Sequence, residues 1–330
     1  MGRYVLRRVL LMIPILFGVV LIVFTINYFN ASSPAYTVLG SAATPENIAI
    51  WEHQNGLDRP YLVQLFEYYK NIFVHGDFGT SYIYNLPVMQ LIGERIGKTV
   101  FIGLMGVVLS VIIGIPLGML AAVKQYSVFD YGSTFLAVLC SALPNFWISL
   151  MLVYLFAVKL RWLPVTGVQS WQGYILPIVS VAIGPIAYIT RMTRSSMLEV
   201  IRSDYVRTAR AKGLEENRVI THHVLKNGLI PVVTVIGQMA GTAMTGTVIV
   251  ENIFNISGLG LLMYTAITSN DYITTQTTVI VCAFIVTVVN LLADISYAFI
   301  DPRIKAQYEN SGRKKKIKKA DLAVTGGAQA

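Results

Sequence analysis

Residues 100–123 read VFIGLMGVVLSVIIGIPLGMLAAV, 24 positions without a charge. A helix needs about 20 apolar residues to cross hydrocarbon, so this run alone is a membrane span. Five more lie near Val9–Phe29, Ser133–Val158, Tyr174–Thr190, Leu229–Val250 and Thr277–Ile300. A span must satisfy its backbone internally. The chain therefore reads as an all-α polytopic membrane protein with six transmembrane helices. The fourth run is short and holds Pro177, Gly184 and Pro185, breaks that neighbouring helices can satisfy. Composition agrees, with 55% hydrophobic and 13% charged residues against about 25% charged in soluble domains.

Arg3, Arg7 and Arg8 precede the first run as they would in a signal peptide. Its apolar core is too long for one and no small-x-small cleavage site follows, so the span is expected to be retained. Orientation follows from Lys and Arg in the short loops. Of the 26 such residues, 20 fall on the side of the N-terminus, the 191–228 loop and the C-terminal tail. Both termini are thus expected in the cytoplasm. The chain divides into residues 1–29 (cytoplasmic start and first span), 30–98 (extracytoplasmic loop), 99–300 (the remaining spans with the loop 191–228) and 301–330 (a basic tail).

The tail segment GRKKKIKKA reads as a partner for anionic membrane lipid. It lacks the aromatic interleaving of a nucleic-acid site. Cys140 and Cys282 both lie inside spans and suggest packing, not a disulfide or zinc framework. The four histidines are too scattered for a metal site.

LIGERIGKTV, residues 91–100, offers Gly93, Gly97, Lys98 and Thr99. A phosphate-binding loop needs four residues between its first glycine and Gly-Lys-Thr, and here there are three. The segment also lies on the outer side with no strand before it. It is not expected to bind ATP.

In the outer loop, Leu62, Leu65, Phe66, Tyr69, Ile72 and Phe73 recur at steps of three and four, one face of an amphipathic helix. Asn55-Gly56 and Asp58-Arg59-Pro60 precede it and His75-Gly76-Asp77 ends it. The helix suits the membrane surface, a cap on the bundle, or an external protein. In the cytoplasmic loop, Met197, Ile201, Tyr205 and Thr208 keep helical spacing up to Gly213, a residue that ends helices. Glu215 and Glu216 then favour a second helix start, with Val219, Ile220, Val224 and Leu225 as its apolar face. Helix, glycine corner, helix is a shape to be gripped from below.

The fifth span is rich in small residues, including Gly237, Gly241, Thr242, Ala243 and Gly246. They fit tight packing or the wall of a pathway, the latter near Met239, Ala243 and Gly246. Asp294 is the clear ionisable residue inside a span, a possible intramembrane polar site.

DYVRTARAKGL (204–214), HVLKN (223–227) and Pro231 closely resemble the membrane subunits of bacterial ABC importers, in the branch that carries dipeptides, oligopeptides and nickel. In the wider superfamily this loop begins Glu-Ala-Ala, with a glycine six residues after the Glu. Here Arg207, Thr208 and Ala209 hold those places and Gly213 the glycine place. The wider pattern then runs Ile-x-Leu-Pro, where this chain has His223, Leu225 and Lys226 and a later proline, Pro231. NGLDRPYLVQ, GDFGTSY, LPNFWISLMLVYLFAVKLRWLPVTG and DPRI extend the likeness over nearly the whole chain to Lys305.

The resemblance implies a type I ABC importer permease fold. It implies a homologous second permease, two ABC ATPase subunits carrying ATP and magnesium, and an extracytoplasmic substrate-binding protein. This chain would bind no cofactor and catalyse nothing. Asp204, Arg207, Thr208, Ala209, Lys212 and Gly213 would form the ATPase-coupling contact, with Asp204 able to supply the acid that the missing Glu would give. The expected cargo is a di- or oligopeptide, with nickel or glutathione as family alternatives. An ion-coupled secondary transporter is the rival from another class.

Overall fold

The computed structural model describes residues 2–30 and 32–300; the basic tail and DPRI fall outside them. The described residues hold helices and connecting loops, with no strand. α1 (Gly2–Tyr28) leads to an outer loop with α2 (Ala35–Leu39), α3 (Pro45–Gln54) and α4 (Tyr61–Lys70). α5 (Val88–Val123), α6 (Val128–Ala142), α7 (Asn145–Leu152) and α8 (Ile175–Ile201) follow. α9 (Asp204–Ala211) and α10 (Glu216–Arg218) form the loop 202–225 between α8 and α11. α11 (Lys226–Ile253), α12 (Leu259–Thr268) and α13 (Tyr272–Ile300) complete the order.

Among the described residues, five helical stretches are long and apolar enough to cross a membrane. The third expected span is not straight. α6 and the helix from Asn145 to Lys159 meet at 105°, so the count reaches six only if this bent pair is one span. The cause is local: a residue before proline is pushed out of the helical region, and Leu143, ahead of Pro144, has ψ 134°.

α5 and α8 form the centre of the bundle because α5 carries glycines where α8 crosses it. A Cβ on Gly106 would stand 2.6 Å from Val181 Cγ1, one on Gly114 2.8 Å from Ile189 Cγ2, and one on Gly118 2.5 Å from the Thr190 carbonyl. Small residues let backbones approach where lipid gives no hydrophobic drive. Ile102, Val107, Val181, Val250 and Phe254 fill the apolar core above that contact.

The outer-loop helix forms where expected, and Gly76 closes it in the left-handed region at φ 64°. It leans on α1: Phe17 stacks on Phe73 at 4.5 Å and on Tyr69 at 5.3 Å. Its sheltered side is centred on Leu65, Tyr68, Tyr69 and Ile72, so Leu62 and Phe66 stay exposed at 73% and 69%. The expected stripe was therefore turned by part of a helix face.

GDFGTSY fastens this loop to the last span. Ser81 Oγ donates to the buried Asp271 carboxylate at 2.5 Å. Thr274 donates to the same group through its backbone and its hydroxyl, which caps α13. Burial, then the Asp271 charge, push the Tyr82 phenol up to about 12. Gly79 sits at φ 81° with Ile273 where its Cβ would be.

Candidate functional site

α8 leaves the bundle and breaks at Arg202 and Ser203, where Ser203 is extended at ψ 151°. The break resets the helical phase. α9 therefore buries Val206 and Ala209 and leaves Tyr205 46% exposed, instead of continuing the stripe Met197, Ile201, Tyr205 and Thr208. Beneath α9, Val206 and Ala209 join Met197, Val219, Ile220, Val224 and Ala122 in one apolar cluster.

Gly213 ends α9 with φ 75°, a conformation natural to glycine. Its amide donates to the Arg210 carbonyl at 2.9 Å. A Cβ there would meet nothing within 4 Å, so the corner is open on its outer side. Arg210 spans it, donating to Glu216 from Nε at 3.0 Å and Nη2 at 2.6 Å. Asn227 Nδ2 donates to the Tyr205 hydroxyl at 3.0 Å, and Ser196 Oγ donates to the Gly228 carbonyl at 2.7 Å. The loop is thus a braced element standing on α8 and α11.

Asp204, Arg207, Thr208, Lys212 and Gly213 all lie on the exposed side of this element. Asp204 and Arg207 are open to solvent, and their 4.0 Å approach is of the kind worth little. Ala209 departs from the expectation: at 6% exposure it supports the surface from within. Sequence reasoning placed Glu216 at the start of the second helix but missed its pairing with Arg210, although opposite charges flanking a glycine corner were a usable signal.

The face of α11 also differs from the expectation. Ala243 is 7% exposed and packed in the core, and Met239 is half-buried. The surroundings of Gly246 lie outside the described residues. The outward face instead carries Thr234, Gln238, Thr242 and Ile249. The packing reading holds for Gly241, whose missing Cβ leaves room for the Asn290 side chain.

Asp294 pairs with Arg8 of α1 at 3.0 Å. The carboxylate joins the first and last spans near their shared end. LIGERIGKTV is helical from Leu91 to Val100. Within it Thr99 donates to Glu251 at 2.7 Å and accepts from the Leu259 amide at 2.8 Å, a helix-to-helix role with no phosphate cradle.

Comparison with known proteins shows the family and the fold. The family described as "Binding-protein-dependent transport system inner membrane component" matches residues 114–306, and its N-terminal companion matches residues 1–103. The dipeptide transport system permease protein DppB of Alkalihalophilus pseudofirmus is 39% identical, over 92% of this chain and 100% of that one. The oligopeptide transport system permease protein AppB of Bacillus subtilis is 38% identical, over 92% and 100%. An inward-facing structure of the MetNI methionine ABC transporter has a chain that superposes with a TM-score of 0.56 at 16% identity. The match covers 65% of this chain and 98% of that one, and it shows a shared fold.

Proposed function

The chain belongs to the family of inner membrane components of binding-protein-dependent transport systems, as a multi-pass protein, and we propose that it is the permease subunit of an ATP-driven importer of short peptides. The observation that carries the coupling role is the exposed edge of α9 on its braced base. Asp204, Arg207, Thr208, Lys212 and the open corner at Gly213 offer a compact charged surface. The cluster around Val206 and Met197 ties that surface to α8 and α11.

On this reading an ATPase subunit grips α9 from the cytoplasm, and ATP with magnesium is held and hydrolysed there. A homologous second permease completes the pathway, and an external binding protein delivers cargo. Both termini then lie in the cytoplasm, the side where Lys and Arg concentrate. A push on α9 moves α8 and α11 with it, because close-packed interiors transmit displacement. The outward face of α11 with Thr234, Gln238 and Thr242 becomes the wall of the pathway in place of Ala243. Its hydroxyls and amide suit peptide groups in transit without selecting a sequence. The peptide cargo rests on the likeness to DppB and AppB.

Gentle purification from the native membrane, followed by mass spectrometry, tests the assembly. A sister permease, two ATPases and a binding protein are expected. Proteoliposomes of the complex should take up di- or oligopeptide only with ATP. Uptake by the chain alone without ATP would replace this reading with a secondary transporter. ATP-driven uptake confined to nickel or glutathione would overturn the cargo alone.

A further inference from the structure

Under the outer loop lies a cavity of about 530 Å³, walled by the outer ends of α1 and α13 and by α3 and α4. That volume is within the roughly 300–1,000 Å³ of small-molecule pockets. It stands apart from α9 and from the outward face of α11.

Its chemistry is one-sided. Glu52 and Asp77 line it, and no Lys or Arg does so among the described residues. Glu67 also lines it, but Arg59 holds that carboxylate at 2.6 and 2.8 Å. Asp77 accepts the Gly79 amide through one oxygen. Glu52 has no ion pair among the described residues. The cavity therefore carries uncompensated negative charge, which favours a cation.

A second observation is independent of charge. Gln276 lines the same cavity at 7% exposure and makes no side-chain hydrogen bond among the described residues. Asn27 and Tyr272 also line it, and Asn27 Nδ2 and the Tyr272 hydroxyl are buried without a partner among the described residues. Amides and hydroxyls withdrawn from water are normally paired, because leaving them unpaired is costly. Several orphans around one cavity mark a place suited to a polar guest.

We propose that this cavity binds a small ligand that joins an ammonium group to amides, the chemistry of a short peptide with a free N-terminus. The ammonium lies toward Glu52 and Asp77, and the peptide amides meet Gln276. The choice of peptide rests on the cargo reading above, whereas the cavity and its polarity do not. The site would hold peptide at the outer face of the permease itself, without a binding protein.

The test is equilibrium binding of trialanine and N-acetyl-trialanine to the full-length chain in lipid nanodiscs, with its copurifying membrane subunits and no ATP. Saturable binding is expected for trialanine. N-acetylation, Glu52→Gln and Gln276→Leu should each weaken it at least tenfold, in variants whose elution and melting match the parent. Absence of saturable binding, equal binding of the acetylated probe, or equal binding by both variants would overturn the site. Intact ATP-driven peptide uptake in that case would leave the transport reading standing. Binding here without any ATP-driven peptide uptake would instead overturn the transport reading and keep the site.

Discussion

Arg210 and Glu216 close a two-bond bridge over the turn at Gly213, at 3.0 and 2.6 Å. The pair joins the last turn of α9 to the start of α10. It is partly exposed, so its direct worth is about 0.2–1 kcal/mol. Its expected importance is geometric, in holding the end of α9 against the start of α10. Arg210→Ala should leave the melting temperature within a few degrees of the parent. Substrate-stimulated ATP hydrolysis in the assembled transporter should fall several-fold. The exchange Arg210→Glu with Glu216→Arg should restore part of it, and no recovery would show that the bridge is incidental.

Gly213 separates backbone strain from surface bulk. A left-handed residue other than glycine costs about 1–2 kcal/mol, less for asparagine. Gly213→Asn should couple almost normally, while Gly213→Val should lose coupling through strain. Gly213→Trp carries the same backbone strain as Gly213→Val plus a large group where the chain itself offers no obstacle, so a deeper loss of uptake than in Gly213→Val would report a partner's surface. Normal uptake by Gly213→Trp would remove the corner from the contact.

The cluster under α9 and the surface over it should respond differently. Met197 is fully buried, and truncating such a side chain costs about 2–5 kcal/mol. Met197→Ala should lower thermal stability and the yield of folded chain. Arg207→Ala should change stability by less than about 0.5 kcal/mol yet weaken copurification of the ATPases. Equal copurification would place the grip elsewhere on α9.

At the outer face, Asp271→Ala removes the acceptor of Ser81 and Thr274. Losing a buried hydrogen-bonded carboxylate leaves its donors stranded, at about 1–3 kcal/mol. Limited proteolysis should then cut the segment near Gly79–Tyr82 more rapidly, with the remaining helices intact. Unchanged cleavage would mean that the loop is held by its contacts with α1.

Glycines within α5 are not equivalent. Gly118→Ala would force a methyl against the Thr190 carbonyl, whereas Gly93 has open space at that position. Expression of folded Gly118→Ala should drop sharply, and Gly93→Ala should be neutral or slightly stabilising, since alanine favours helices by about 1 kcal/mol. Chromatographic monodispersity of the two variants checks this.

Spans were legible because hydrocarbon demands long apolar runs, and α1, α5, α8, α11 and α13 follow them closely. Hydropathy carries no direction, so the run Ser133–Val158 gave a span without the bend at Leu143–Pro144. The glycine corner was legible from Gly213 and the acids after it. The inward side of α9 was not, since the break at Arg202–Ser203 shifted the phase from Tyr205 and Thr208 to Val206 and Ala209. In α11, small residues serve packing and exposure equally well. The sequence therefore could not tell Ala243, which is packed, from Thr242, which is open. Asp294 found its partner, Arg8, 286 positions earlier, a distance no local pattern reveals.

Residues 216–253 are helical without interruption, with a π-helical stretch at Val219–Leu225, on the order of 55 Å at about 1.5 Å per α-helical residue, whereas the hydrocarbon layer is about 30 Å thick. A single girder thus runs from the acid that braces the corner to Glu251, where Thr99 and the amides of Gly260 and Leu261 converge on the carboxylate. On the coupling reading, a push at the corner would reach the opposite surface as tilt of this one beam, and the bonds to Glu251 would be the first to register it.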